Sequence, residues 1–327
     1  MIVSSRVAHH SAPVALIDYL SGRFTYLSRQ QWADRLAENR FSINEKPCCD
    51  PAALLRRDDV VAYDMPEFEE PPADFNFTII YEDEHIMAVD KTGNLLVHRS
   101  GKSFQSNLIY RLRHVTDPAR YGDVDVINRL DRETSGVVLL AKNKECLRTM
   151  NDHFANREMH KEYIAVIEGV APSAAWTDTS PIGKDAGSLV RYKYRIDALG
   201  GKPAETRFEC LHNICGRFSV VRARPITGRT HQIRVQLSNA GMPIVGDKLY
   251  GMEEKEFLSW RDDTANFKGG LLFHRQALHC ASIRFIHPVT KNELCIEAPL
   301  PRDMKELIEK LKKETESPPA SIIITID

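Results

Sequence analysis

Residues 65 to 76 read Met-Pro-Glu-Phe-Glu-Glu-Pro-Pro-Ala-Asp-Phe-Asn, where prolines and acids crowd together without helical or strand periodicity. Proline fixes φ and lacks an amide donor, so neither a helix nor a central strand runs through such a stretch. The chain must fold as two pieces on either side of a stiff acidic connection. We place a small unit at residues 12–64, the linker at 65–76, a large unit at 77–313 and a frayed tail at 314–327, where Glu-Thr-Glu-Ser-Pro-Pro-Ala-Ser lacks any pattern. A length of 327 residues suits one large or two unequal domains.

The connection also distorts the charge balance. The formal net charge is −1, which excludes binding to polyanions through bulk positive charge. By segment, residues 1–64 hold 8 basic and 8 acidic side chains, 65–90 hold 0 and 8, and 91–327 hold 36 and 29. The remainder of the chain is therefore basic once the acidic segment is set apart. Seven cysteines, an odd number without C-x-x-C spacing, and no basic-then-apolar leader read as reduced thiols in a cytoplasmic protein. Apolar runs such as Val137 to Ala141 are too short to cross a bilayer. Cys210, His212 and Cys215 lack a second pair at zinc spacing, so we expect no metal site.

In the small unit, Leu16, Ile17 and Leu20 mark a short helix, and Ser28 N-caps a second over Gln30 to Glu38 with Trp32 and Leu36 on one face. Phe41, Ile43 and Asp59-Val60-Val61 read as short strands around a turn at Asn44-Glu45-Lys46. In the large unit strands dominate: Thr78–Tyr81, Ile86–Val89, Val137–Ala141, Tyr163–Glu168, Ser219–Ala223, Ala281–Phe285 and Glu293–Glu297. Helical patterns intervene at Ser106–His114, Lys144–Asn156, Thr230–Ala240 and Arg302–Lys313. Without strict alternation or a Gly-rich fingerprint, this predicts an α+β domain with a central mixed or antiparallel sheet flanked by helices.

Two stretches carry chemistry. Asn128 to Gly136, N-R-L-D-R-E-T-S-G, precedes the apolar run V-V-L-L-A. Short hydroxyls that bond nearby backbone, and a glycine free of dihedral limits, suit a loop presenting Asp131 at the mouth of a strand; a plain polar turn fits as well. Between Arg217 and Ala240 lie five arginines (Arg217, Arg222, Arg224, Arg229, Arg234) and no acid, the makings of an anion site or of a solvated basic stripe. Helical spacing turns Arg234 toward the core with Ile233 and Leu237, where a guanidinium needs a carboxylate, and Asp131 is the nominated partner.

Read together, these stretches resemble the RluA-type family of RNA pseudouridine synthases. The family pattern H-R-L-D-x-x-T-S-G aligns with Asn128 to Gly136, and G-R-x-H-Q-I/L-R-x-H with G-x-P-I-x-G-D aligns with Gly228 to Gln236 and Gly241 to Asp247. Lys161-Glu162-Tyr163-Ile164-Ala165 matches K-x-Y-x-A; Gly201 to Ala204, Val97-His98, Leu278-His279-Cys280 and His287-Pro288 are further matches. The likeness spans residues 77 to 301. Asn128 stands for a usual His, Thr92 for a Pro and Gln236 for a second His, and neither Asn nor Gln titrates near neutrality. The small unit, with Ser28-Arg29 opening its second helix and a late D-D-V-V, resembles the S4-type RNA-binding domain; Asn39 and Glu45 stand where that family usually has Gly.

The resemblance implies a pseudouridine synthase fold, no cofactor and no metal, and an isomerisation in which the N1–C1′ bond of a uridine in RNA breaks, the uracil rotates, and C5 joins C1′. It implies Asp131 as the catalytic carboxylate, Arg234 as its ionic partner, and Tyr163 to stack on the base and assist proton exchange at C5. Backbone contacts are expected from Arg29, Arg35 and Arg40 in the small unit, from Arg99, Lys102, Arg111, Arg113 and Arg120, and from Arg132 and Arg229. The RNA partner is expected to be ribosomal rather than transfer RNA, and the protein a monomer without a membrane partner. Two other classes stay open: a non-catalytic RNA-binding or ribosome-assembly protein that retains the fold, and a hydrolase pairing Asp131 with His231 or His274.

Overall fold

The computed structural model describes residues 2–8, 12–24, 27–66, 70–101, 103–264, 267 and 269–316. It forms two compact units, one from Met1–Pro71 with Ser100–Gln105, the other from Pro72–Arg99 with Ser106 onward.

In the first unit, Ser28 and Gln31 form a reciprocal capping box that starts the helix Arg29–Ala37. This helix and Leu16–Arg23 bury Trp32, Leu36, Leu16 and Leu20 with Phe41 and Tyr63, whose rings stack at 4.3 Å. The antiparallel sheet runs in the order Ile2–Arg6, Val60–Asp64, Phe41–Ile43, Lys46–Pro47. The unit thus begins before residue 12, correcting that boundary. Ile2–Arg6 is an edge strand without a fully buried side chain, so it leaves no apolar run to read. Asn39 and Glu45 adopt left-handed backbone, with φ of 56° and 68°. Asn44, at φ 50°, ties the hairpin down: its Nδ2 donates to Asp59 Oδ1 at 2.8 Å and its Oδ1 accepts from the Val60 amide at 2.9 Å.

The second unit is built on a ten-stranded sheet. Its main path runs Ala175–Asp178, Thr206–Ile214, Phe218–Pro225, His160–Glu168, Leu278–Ile286, Ser135–Ala141, Ile86–Lys91, Thr78–Glu82. Glu293–Glu297 pairs with Leu278–Ile286, and Asp125–Val126 with Ser135–Ala141. All pairings are antiparallel except that of Ser135–Gly136 with His279–Cys280. The expected central sheet flanked by helices is present. Lys144–Ala155 buries Cys146 and Met150 after an Asn143 N-cap, and Arg302–Glu316 buries Met304, Leu307 and Leu311. Among the described residues no helix is long and apolar enough to cross a membrane.

Two further boundaries move. Pro72 to Asn76 belong to the sheet unit rather than to a free linker: Arg132 Nη2 donates to the Pro72 carbonyl at 2.6 Å, Thr92 Oγ1 donates to the Asp74 carbonyl at 2.8 Å, and the Asp74 amide donates to Asn94 O at 3.1 Å. Proline lacks a donor but keeps its carbonyl, and the sheet unit holds that of Pro72 together with the backbone of Asp74. The last helix continues to Glu316, past the expected end at 313; the tail from Ser317 lies outside the described residues.

Candidate active site

The run Ser135–Ala141 is wholly buried and occupies the middle of the sheet. Its second residue, Gly136, has φ 108°, and a Cβ there would lie 2.1 Å from the Cys280 carbonyl oxygen. Only glycine lets the two strands meet in parallel at that point. The chain turning into this strand carries Asp131, with a turn closed by the Thr134 amide on the Asp131 carbonyl at 3.1 Å. The hydroxyls after it bond to side chains, not to the nearby backbone expected: Gln276 Nε2 donates to Thr134 Oγ1, and Ser135 Oγ pairs with His279 Nδ1 at 3.0 Å.

The floor of the loop is charged and buried. Lys91, fully buried, donates from Nζ to the carbonyls of Thr92 at 2.7 Å and Arg132 at 3.1 Å. Burial and the nearby Arg275 push its pKa down to about 7, although Asp131 opposes this. Arg275 reaches the Glu133 carbonyl at 3.1 Å and is clasped by Asp303 at 2.7 and 2.9 Å. Lys248 Nζ meets both Glu133 oxygens at 2.7 and 2.8 Å. Asp131 is therefore presented on a rigid support.

Helix Gln232–Asn239 brings Arg234 to it, with Nη1 donating to Asp131 Oδ2 at 2.7 Å. The same guanidinium grips Asp247 through two parallel bonds, Nε to Oδ2 at 2.7 Å and Nη2 to Oδ1 at 2.9 Å, and lies 5.0 Å from the Tyr250 ring centroid. Side-chain exposure is 9% for Arg234, 33% for Asp131 and 1% for Asp247. Burial alone raises the Asp131 pKa, but Arg234 first and His231 second, with hydrogen bonds from Arg234 and Gln276, hold it below the ordinary carboxylate range. An ionised carboxylate with one oxygen clamped and part of its surface open is what a nucleophile or base requires.

Tyr163 is buried on the strand beside Leu278–Ile286, in register with Cys280. Burial, then Cys280, then the Asp131 charge push its pKa well above 10, so the phenol keeps its proton. Asp131 and Arg234, more than a hundred residues apart in the chain, are in direct contact, and the Asp131 charge is felt at the Tyr163 phenol. Asp247 was not foreseen as a partner. Its signal was present, because Gly-Asp ahead of Lys-Leu-Tyr is an N-cap pattern, and Asp247 accepts from the Leu249 and Tyr250 amides at 3.1 and 3.2 Å.

The two positions that depart from the family's histidines are structural. Asn128, buried, accepts from the Leu139 amide at 2.7 Å and donates to the Val137 carbonyl at 3.3 Å, stitching its own loop to the central strand. Gln236 accepts from Thr206 Oγ1 at 2.6 Å and donates to the Asp178 carbonyl at 3.2 Å. Neither faces an open site.

The candidate RNA contacts divide. Arg113 gives Nε and Nη2 to the Val124 carbonyl at 2.9 and 2.6 Å, and Arg120 binds Glu82. Arg132 bonds Asn94 and Pro72, and Arg229 Nε bonds the Pro203 carbonyl at 2.9 Å. Arg29 pairs with Asp18 and Arg35 with Glu38. Arg40 and Arg99 are exposed, Arg111 lies over the Phe75 ring, and Lys102 lies outside the described residues. The arginine-rich stretch is also largely neutralised: Arg222 and Arg224 share Glu162 and Glu209 at 2.8 to 3.1 Å, and Arg234 has its two aspartates. Glu162 and Glu209 come from neighbouring strands, Asp131 from a loop and Asp247 from a helix N-cap, which is why the stretch looked unopposed in sequence. Among the described residues no group of three or more His, Cys, Asp or Glu is placed to hold a metal ion.

Residues 85–239 match the RNA pseudouridylate synthase family. Ribosomal large subunit pseudouridine synthase C of Escherichia coli K12 is 35% identical over 236 residues, covering 72% of this chain and 70% of that one. An uncharacterized RNA pseudouridine synthase of Chlorobaculum parvum is 31% identical over 316 residues, 94% of this chain and 96% of that one. The solved structure of human RNA pseudouridylate synthase domain containing 1 superposes with a TM-score of 0.54 at 25% identity, over 75% of this chain and 98% of that one. With this sheet, this loop and these relatives, the chain belongs to the RNA pseudouridine synthase family and is an isomerase that converts uridine in RNA to pseudouridine.

Proposed function

We propose that Asp131 is the catalytic carboxylate, that Arg234 keeps it ionised, and that Tyr163 stacks on the released base and assists proton exchange at C5. The observation that carries this reading is the asymmetric clamp on Asp131, with Oδ2 held at 2.7 Å by a buried guanidinium while a third of the side chain stays open. The reaction exchanges an N1–C1′ bond for a C5–C1′ bond within one nucleotide, so it is balanced without an oxidant or co-substrate. What it demands is a charged group preorganised at the anomeric carbon, and the Asp247–Arg234–Asp131 chain supports that. Extruding the uridine costs about a few kcal/mol, which contacts to the RNA backbone must offset.

The substrate we propose is ribosomal RNA, on the strength of relatives named for the large ribosomal subunit. The first unit is proposed as an S4-like RNA-binding module. Supporting this are the capped helix opening at Ser28-Arg29 and the left-handed backbone at Asn39 and Glu45, where that family uses glycine. Arg29, Arg35, Arg40, Arg99, Arg111 and Arg229 are the proposed backbone contacts. A cytoplasmic monomer completes the proposal.

The test is tritium release from ribosomal RNA labelled at uridine C5, with and without Asp131→Asn. Release is expected from the wild type and none above background from the variant; release that persists in Asp131→Asn would overturn the role of Asp131.

A further inference from the structure

Arg234 accounts for one oxygen of Asp131. The other, Oδ1, faces His231, whose Nε2 lies 3.9 Å away. His231 caps the helix Gln232–Asn239 in left-handed backbone, φ 58° and ψ 20°, an arrangement that β-carbon sterics disfavour and that recurs at functional sites. Its Nδ1 is 2.8 Å from the Tyr250 hydroxyl, and that hydroxyl already accepts the Tyr194 amide at 3.0 Å. Among the described residues the phenol has no other acceptor in reach, so its proton goes to Nδ1. The imidazole proton is then on Nε2, the ring nitrogen 3.9 Å from Asp131 Oδ1. Three ordinary groups in series, amide, phenol and imidazole, thus select one tautomer at the catalytic carboxylate.

We propose that His231 is a positioning residue for the isomerisation, a neutral Nε2–H donor locked by Tyr250 that orients Oδ1 of Asp131 toward the bound uridine. This rests on the reading of Asp131 as the catalytic carboxylate. A separation of 3.9 Å exceeds hydrogen-bond reach, so in the free protein the donor is near rather than bonded, and contacts of this kind close when substrate fills the site. The opposite tautomer would turn a lone pair onto the carboxylate. Neutrality also matters: the groups facing His231 are Arg234, Asp131, Asp247, Tyr250 and Tyr194, and burial followed by Arg234 pushes its pKa down to about 4 against the two aspartates. A second full charge beside Asp131 would hold it in its ground state, whereas a neutral donor directs the oxygen without that penalty.

Packing alone does not explain the arrangement. The ring sits edge-on against Tyr194 and Tyr250 at 5.9 and 5.6 Å, contacts a phenylalanine would preserve. Two measurements test the proposal. Nitrogen-15 NMR of the wild-type protein should show Nε2 protonated and Nδ1 bare, and Tyr250→Phe should erode that preference. Tyr250→Phe keeps the ring beneath Arg234 and should lower kcat about 10- to 100-fold, the scale known for losing the partner that fixes a metal-bound imidazole, with KM within about 2-fold. In a His231→Gln background, where the donor has no tautomer to lose, the same change should cost less than about 2-fold. Equal penalties in both backgrounds, or a wild-type spectrum with the proton on Nδ1, would overturn the inference. Should the variants melt early, the wild-type spectrum still decides. If Asp131→Asn retains tritium release, the underlying reading has failed; if Asp131→Asn is inactive while Tyr250→Phe behaves as wild type, only this inference has.

Discussion

Replacing Arg234 by methionine separates what the arginine does for the fold from what it does for the reaction. The guanidinium makes two charge-assisted bonds to Asp247 and one to Asp131, all between 2.7 and 2.9 Å. Its loss leaves Asp247, 1% exposed, as a buried carboxylate held only by the Leu249 and Tyr250 amides. Removing one partner of a buried pair costs about 3–5 kcal/mol, and that is the expected fall in unfolding free energy of the sheet unit. Asp131 suffers less, since a third of its side chain meets water. The double variant Arg234→Met/Asp247→Asn keeps the amide acceptor and removes the stranded charge, so it should recover about 1–3 kcal/mol. Turnover should not follow. Both variants should lose about 10²–10³-fold in kcat, as when one preorganised charge donor is deleted, with smaller loss in RNA affinity.

The same pair of variants has a pH signature. Because the Asp131 pKa is depressed in the folded state, its contribution to stability is complete above the unfolded value of about 3.9 and is lost as pH falls through the lower folded value. The acid limb of turnover should therefore lie below about pH 4 in the wild type and move upward in Arg234→Met. Denaturant titration and tritium release across pH measure both. A destabilisation below about 1 kcal/mol, or turnover regained in the double variant, would refute the reasoning.

Gly136→Ala places a methyl 2.1 Å from the Cys280 carbonyl in left-handed backbone and should destabilise by more than about 4 kcal/mol, read as loss of soluble protein or of cooperative melting. Glu45→Gly relieves a φ of 68° that costs a side chain about 1–2 kcal/mol, against about 0.5–1 for the added freedom of glycine, so chemical denaturation should show a gain of up to about 1.5 kcal/mol. Arg113→Ala should change the slope of log affinity against log salt less than Arg40→Ala, because two of its nitrogens hold the Val124 carbonyl and Asp125 lies 3.7 Å from it, whereas Arg40→Ala should reduce that slope by about 0.7–0.9. Tyr163→Phe should lower kcat by about 10² or more while RNA binding persists, and the wild type should show no alkaline loss of activity from this phenol up to pH 10, since its pKa lies well above that value.

Much was legible before any coordinates, and for identifiable reasons. Apolar alternation and caps are local, so the strands at Ile86 and Val137, the helix from Lys144 and the N-cap at Ser28 follow from neighbours within a few residues. The reaction class was legible because the motifs are short and ordered along the chain. The pairing of Asp131 with Arg234 was nominated from the cost of an unpaired buried guanidinium, a local rule with a long-range consequence. The edge strand Ile2–Arg6 was missed because an edge position buries too little to leave a pattern.

Charge compensation was decided elsewhere. Arg222 and Arg224 look unopposed along the chain and are neutralised by Glu162 and Glu209 from adjoining strands; Arg120 and Arg132 look free and are held by an acid and a carbonyl far away in sequence. The second carboxylate on Arg234, the buried Lys91 beneath the loop, and the tautomer of His231 belong to the same class. Sequence by itself determined which elements form and which chemistry they serve, since periodicity and motif act over a few residues. Only the tertiary structure decided which charges are available, because a side chain's counter-ion is chosen by sheet order and register, and those bring together residues that no local pattern connects.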